Sequence, residues 1–332
     1  MLVTRRMSVI SSSEGSHAPR REGASSRPQV DVAVVTWNTR DLTVEALRRL
    51  LDEDAGCDVR LLVRDNGSTD GTAEAIRKLV PEAELDAGDT NLGFAKAMNA
   101  LIARARAPWF FALNSDAWPD PGALVTLVRT AEAFPAAAAV APRLERPDGT
   151  LEHSTHPFPS LRVAAVTATG AYRLIGAERA RRMMLVGAWH HDAPRAVDWA
   201  VGAALLMRRA ALDDIGGFDE RFFMYAEDLE WCWRARRRGW EIRFEPAALV
   251  RHVGNASGER RYGSHRTEAY LRNTYRFYRR EHGAASTALY RAINVAGSAR
   301  LWARSVLGRN ARRAEVWREQ LRAHLSAGRG AG

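Results

Sequence analysis

From Val30 onward, short apolar runs alternate with helix-like segments, and this alternation constrains the fold of the 332-residue chain more than any other feature. It is the pattern of βαβ units around a parallel sheet. Residues 32–36 read as a first strand, 42–51 as a helix and 59–63 as a second strand. Thr69-Asp70 then caps a helix running to Leu79, a weak strand follows near 83–86, and the next unit is a helix over 94–104 and a strand over 109–113. Three of these strands end in polar clusters: Thr36-Trp37-Asn38, Asp65-Asn66-Gly67-Ser68 and Asn114-Ser115-Asp116. Ligands of open parallel sheets bind in the crevice beyond the strands' carboxyl ends, so the three clusters are expected to line one mouth. The same residue types also serve ordinary strand-to-helix turns.

The second half is less regular. Residues 143–195 carry a Pro147-Asp148-Gly149 turn and a His/Pro-rich stretch, consistent with a loop or short hairpin over the site. A buried strand is expected over 197–207, helices over 209–215 and 229–238, and strand-like pieces over 242–246 and 249–252. From Ser264 the pattern is helical, with Leu289, Ile293, Ala296 and Trp302 close to one face.

Between these elements, Gly216–Glu230 sets the carboxylates Glu227, Asp228 and Glu230 directly behind the aromatic run Phe222-Phe223-Met224-Tyr225. Aromatic walls exclude water and raise the proton affinity of a carboxylate, which a general base working near neutral pH requires. Acids complementing a helix dipole, with the aromatic residues as core, would give the same sequence.

The formal charge of +10 is unevenly placed: residues 251–332 hold 17 Arg and 5 Glu, while the rest carries 32 basic against 34 acidic side chains. Only Lys78 and Lys96 are lysines, so the excess is arginine, which suits bidentate phosphate recognition. A near-neutral main body without a nucleic-acid motif argues against a nucleic-acid partner. Cys57 and Cys232 stand far apart without metal-ligand spacing, as expected of reduced thiols in a cytoplasmic protein. No run approaches the roughly 20 apolar residues that span a bilayer. Residues 1–29 are basic and rich in Ser, Gly and Pro, and are expected to form a disordered leader.

With these motifs in order, the chain resembles the family-two glycosyltransferases of GT-A fold, most closely bacterial members such as rhamnosyltransferases that extend cell-wall or surface polysaccharides. The resemblance covers residues 32–254. It rests on Val34-Val35-Thr36-Trp37-Asn38, on Asp65-Asn66-Gly67-Ser68-Thr69-Asp70-Gly71 and on Asn91-Leu92-Gly93-Phe94-Ala95-Lys96. Leu113-Asn114-Ser115-Asp116 and the segment from Gly216 to Arg234 complete it. It implies an α/β, GT-A (Rossmann-like) nucleotide-diphospho-sugar transferase domain over 30–255, with an Arg-rich helical C-terminal extension over 256–332.

By the same resemblance Thr36, Asn38, Asp65, Asn66, Gly93, Lys96, Asn114 and Ser115 bind the nucleotide sugar, and Asp116 holds Mg²⁺ or Mn²⁺ against the donor diphosphate. His252 falls where some relatives supply a metal ligand, and it also suits a local hydrogen bond at a strand end. Asp228 is the implied base with Glu227 beside it, and Glu230 and Trp231 are candidates for the acceptor. Asn114 stands where many members carry a first aspartate, which implies a weaker metal site. The implied reaction is inverting transfer to a glycan or polyprenyl-diphosphate-linked acceptor. The Arg-rich tail, over 284–308 in particular, is compatible with peripheral association with an anionic membrane, and equally with a helix packed on the catalytic domain. A sugar-nucleotide nucleotidyltransferase is the competing enzyme, but the turn after Thr36 lacks the glycines of a phosphate loop.

Overall fold

The computed structural model describes residues 27–52, 55–171, 174, 176–184, 189–254 and 263–327. The expected leader therefore lies, through residue 26, outside the described residues. Strands β1 (Gln29–Thr36), β2 (Asp58–Asn66), β3 (Glu84–Gly88) and β4 (Trp109–Asn114) alternate with helices α1 (Arg40–Asp52), α2 (Thr72–Leu79) and α3 (Phe94–Ile102). β5 (Ala117–Pro119), α4 (Ala123–Ala133) and β6 (Ala137–Glu145) follow, then β7 (Leu151–Glu152), β8 (Thr155–His156), α5 (Leu161–Thr169) and α6 (Ala177–Arg182). The chain continues through β9 (Arg195–Val197), β10 (Trp199–Ala200), β11 (Ala204–Arg208), α7 (Arg209–Ile215), α8 (Glu227–Arg237) and β12 (Glu241–His252). It closes with a helical hairpin, α9 (Arg266–Leu307) and α10 (Ala311–Ser326).

The main sheet runs β3-β2-β1-β4-β11-β6-β12-β5, with β7 added to β6 and β9 to β12. Strands β1 to β4 are mutually parallel, whereas β11 is antiparallel to both β4 and β6. Helices cover both faces, which explains the nearly continuous apolar runs of the central strands. Val32, Val34, Phe111 and Leu113 point to the layer built by α1, α2 and α4, and Ala33, Phe110 and Ala112 to the layer of α3, α7 and α8. Register brings the polar strand ends together: Thr36 pairs with Asp65, and Val35 with Asn114.

Two expected strands differ from expectation in an informative way. The run over 197–207 is broken between β10 and β11, and the break releases the Gly202 N–H to a side chain instead of a neighbouring strand. The two pieces near 242–252 form one strand, β12, whose register with β6 shifts between Glu245 and Leu249, around Pro246, which has no N–H to give the ladder. Pro147-Asp148-Gly149 makes the hairpin turn between β6 and β7, closed by the Arg146 N–H on the Thr150 carbonyl at 2.9 Å.

α9 is interrupted at Gly283, whose φ of 79° is left-handed. Beyond it the buried face differs from the expected stripe: Gly297 and Ser298 are buried, with Gly297 against Ala168 of α5, while Leu289 and Trp302 stay exposed beside Arg300 and Arg304. A glycine there lets two helices approach more closely than Leu or Ile would. Among the described residues no helix is long and apolar enough to cross a membrane, and both cysteines are buried free thiols.

Candidate functional site

A cavity of about 270 Å³ opens at the carboxyl ends of β1 and β4, where the strand order reverses. Thr36, Asn66, Asn114, Ser115 and Asp116 line it from the sheet. Glu227 and Asp228 line it from the start of α8, His252 from the end of β12 and Tyr270 from α9. Residues more than 100 apart in sequence thus share one space.

Asp228 sits in the first turn of α8. Its Oδ2 accepts from the Gly202 N–H at 2.9 Å and its Oδ1 from the Leu229 N–H at 2.7 Å. Burial pushes its carboxyl above the usual range, and the backbone donors pull back. Glu227 is pushed up further, by burial and then by the charge of Asp228, and its buried Oε2 has no hydrogen-bond partner among the described residues. Two backbone N–H groups donate to Asp228, whereas the buried Oε2 of Glu227 has none among the described residues, so of the two carboxyls Glu227 has the stronger hold on a proton.

The loop before α8 is held in a costly conformation. Tyr225 and Ala226 have φ of 73° and 69°, a region that non-glycine residues avoid. Asn273 of α9 clamps it, donating from Nδ2 to the carbonyls of Met224 at 2.8 Å and Tyr225 at 3.2 Å. Upstream, Asn99 of α3 brackets Phe218, accepting its N–H and donating to its carbonyl, each at 2.8 Å. The Phe94 N–H donates to the Phe223 carbonyl at 2.7 Å, and a Cβ on Gly93 would stand 2.5 Å from that oxygen. Gly93 thus admits the close approach of the loop before α8.

At the end of β12, His252 lies between Asp116, 3.3 Å from Nε2, and Glu152, 2.8 Å from Nδ1. Burial opposes a charge on the imidazole, but the hydrogen bonds and charges of the two carboxylates outweigh it and lift its pKa to about 9. Neighbouring ligands of one octahedral ion stand roughly 3 Å apart when each bond is about 2.1 Å, so Asp116 and His252 fit a shared cation. The Asn114 side chain, 3.2 Å from the same ring nitrogen, offers a carbonyl oxygen after an amide rotation. Glu152 on Nδ1 fixes the orientation of the His252 ring, as a carboxylate behind a ligating histidine would. Among the described residues no group of three or more His, Cys, Asp or Glu is arranged as a metal cage.

Other expected residues fall at varying distance from the cavity. Asp65 is buried beside it, its carboxylate accepting from the Ser68 N–H at 3.3 Å and from the Ser68 hydroxyl. Burial raises its pKa against those bonds. Asn66 ties the third motif down, donating to Asn91 at 2.9 Å and accepting the Leu92 N–H at 3.0 Å. Asn38, with φ of 52°, bridges two strand-end turns through the Thr69 N–H and the Ser68 hydroxyl. Lys96 is exposed on α3 and is not among the lining residues.

Glu230 and Trp231 do not face the cavity. Trp231 is fully buried with its indole N–H on the Gly216 carbonyl, and Glu230 is buried between Arg234 and Arg280, because both lie on the inward sides of α8. The acceptor contacts expected of them are corrected to core and ion-pair roles. Trp199, Tyr225 and Tyr270 supply the aromatic wall instead. Sequence reasoning missed Glu152, Gly202, Tyr270 and Asn273. Only the hairpin signal at Pro147-Asp148-Gly149 pointed toward one of them.

The fold and the site define a GT-A glycosyltransferase, and comparison with known proteins agrees. Residues 31–190 match the glycosyl transferase family 2 model and residues 177–266 that of glycosyl transferase family 21. The chain belongs to glycosyl transferase family 2. It is 33% identical over 273 residues to the N-acetylglucosaminyl-diphospho-decaprenol L-rhamnosyltransferase of Mycobacterium tuberculosis, a match covering 77% of this chain and 87% of that one. Over 85 residues it is 31% identical to rhamnosyltransferase WbbL of Escherichia coli, covering 26% of this chain and 32% of that one. Among solved structures, the mannosyltransferase PcManGT of Pyrobaculum calidifontis, in complex with GDP-Man and Mn²⁺, superposes with a TM-score of 0.57 at 17% identity, covering 92% and 88% of the two chains. GalNAc-T7 with UDP, GalNAc and Mn²⁺ gives 0.53 at 12% identity, covering 76% of this chain and 48% of that one. These two likenesses speak to the fold.

Proposed function

We propose that this glycosyltransferase moves a sugar, rhamnose being the first candidate, from a nucleoside-diphosphate donor to a hydroxyl of a saccharide carried on a polyprenyl diphosphate, in cell-wall polysaccharide synthesis. The observation that carries this reading is that Asp228, at the start of α8, and Asp116, just past the end of β4, line the same cavity. Its acceptor side follows the mycobacterial relative.

Asp228 takes the proton of the acceptor hydroxyl as that oxygen bonds to the anomeric carbon, and the bond from that carbon to the donor diphosphate breaks in the same displacement. The configuration inverts, and no covalent enzyme intermediate forms. Glu227, holding its proton, donates from the cavity wall to a sugar oxygen. Asp116 and His252, with Asn114, would hold Mg²⁺ or Mn²⁺. A bound divalent ion neutralises the charge developing on the departing diphosphate. Thr36, Asp65, Asn66 and Ser115 form the donor side, and Tyr225 and Tyr270 close the acceptor side. The exposed Leu289, Trp302, Val306 and Leu307 beside Arg300 and Arg304 support contact with an anionic membrane surface.

Transfer from a panel of nucleotide sugars to a prenyl-diphosphate-linked N-acetylglucosamine tests the reading. Asp228→Asn is expected to lower the transfer rate by about 10²–10⁴ while donor binding persists. Asp116→Ala is expected to weaken Mn²⁺-dependent donor binding. Retention of most activity by Asp228→Asn removes it as the base.

A further inference from the structure

Beside the segment that leads into α8 lies a further hollow of about 370 Å³, walled by Arg221, Phe222, Arg276, Arg279 and Arg280. The loop is laid along α9 in reverse. Asn273 holds the carbonyls of Met224 and Tyr225, Arg276 donates to the Arg221 carbonyl at 3.1 Å, and Arg280 reaches Asp219 at 2.8 Å. Asn273, Arg276 and Arg280 are spaced three and four residues apart, along one side of the helix. Tyr270, which lines the catalytic cavity, precedes Arg276 by six residues, about 9 Å of helix.

Charge around this hollow is unbalanced. Asp219 is shared by Arg221 and Arg280, Glu230 by Arg234 and Arg280, and Glu281 by Arg237 and Arg280. Four guanidinium groups thus divide three carboxylates before Arg276 adds its own charge to the wall. An arginine-walled, solvent-open hollow with surplus positive charge is built for a phosphate oxyanion, because guanidinium groups offer paired donors that match it.

We propose that the hollow walled by Arg221, Arg276 and Arg280 binds the phosphate groups of a lipid phosphate ester, the diphosphate of the prenyl acceptor when its sugar occupies the catalytic cavity. The assignment rests on the acceptor reading given above. It places the anion against residues 219–225, the segment that leads into the base Asp228, and on the same helix that supplies Tyr270 to the catalytic cavity. Occupation would pin that segment while the acceptor hydroxyl meets Asp228. Bilayer headgroups present the same chemistry, and the experiment separates the two sources.

Full-length protein is titrated with farnesyl diphosphate, with farnesol, and with vesicles of phosphatidylglycerol or phosphatidylcholine. Arg276→Gln, Arg221→Gln/Arg276→Gln and, as a control on the outer face of α10, Arg318→Gln are compared with wild type, their folding checked by circular dichroism and thermal melts. Wild type is expected to bind farnesyl diphosphate at least tenfold more tightly than farnesol. The double substitution should weaken that binding by tenfold or more, the single one by several-fold, and the control should change nothing. Loss of phosphatidylglycerol binding in the double variant, with no farnesyl diphosphate bound by wild type, would keep the phosphate site and give it to headgroups. Unchanged binding of both probes in well-folded variants overturns the proposal. Transfer to a prenyl-diphosphate sugar that is indifferent to the double substitution removes the hollow alone. Failure of wild type to use any such acceptor removes the acceptor reading itself.

Discussion

Asn273→Ala is the perturbation whose consequences follow most directly from the geometry. Tyr225 and Ala226 are held in left-handed backbone conformations immediately before Glu227 and Asp228, at about 1–2 kcal/mol each for residues with a Cβ. The two hydrogen bonds from Asn273 contribute about 0.5–1.5 kcal/mol apiece, so the clamp and the strain it opposes are of similar size. Removing the clamp lets the loop relax, and the productive placement of Asp228 then becomes a minor population. If about 2 kcal/mol of bias is lost, transfer should fall roughly 30-fold, since about 1.4 kcal/mol is tenfold in rate. Donor binding should persist, because Asn273 touches no strand end. The assay is steady-state transfer alongside calorimetric donor titration. Ala226→Gly placed on Asn273→Ala should recover part of the rate, because glycine adopts positive φ without that cost. Wild-type turnover in Asn273→Ala, or a defect that Ala226→Gly leaves untouched, refutes the strained-loop argument.

Two other outcomes follow from the carboxylates. The folded-state pKa of Glu227 is raised, so its stabilising contribution is complete below the unfolded value of about 4.3 and is lost as pH rises through the folded value. Glu227→Gln should therefore gain stability over wild type as pH increases from about 5 to 8, read as urea midpoints; a pH-independent difference would contradict the assignment. Glu152→Gln should cost about 10- to 100-fold in Mn²⁺ affinity by loosening His252, measured by electron paramagnetic resonance, and unaltered affinity would separate Glu152 from the metal.

The first half of the fold was legible because each strand there ends in its own polar cluster, and a parallel register carries those ends to one place without further information. The shared cavity of Asp116 and Asp228 was legible for the same local reason, since each follows a distinctive run. What escaped was set by tertiary contacts. Gly202 sat inside an apolar run that reads as strand, and only the position of Asp228 shows why the ladder breaks there. Trp231 carries an aromatic ring suited to stacking on sugar, yet its place on α8 turns it into the core. Tyr270 and Asn273 lie in a helix rich in arginine, with nothing local to show that one face touches the loop before α8.

The run of α9 beside that loop acts as a ruler. One residue inserted between Tyr270 and Arg280 would rotate everything beyond it by about 100°, carrying some of the contacts to residues 219–225 off their targets while leaving the sheet intact. Past Gly283 the axis is already broken, so length changes there spare the alignment. Tolerance to insertion should therefore switch abruptly at that glycine, and the segment before it is as much a part of the enzyme's working geometry as the strand ends are.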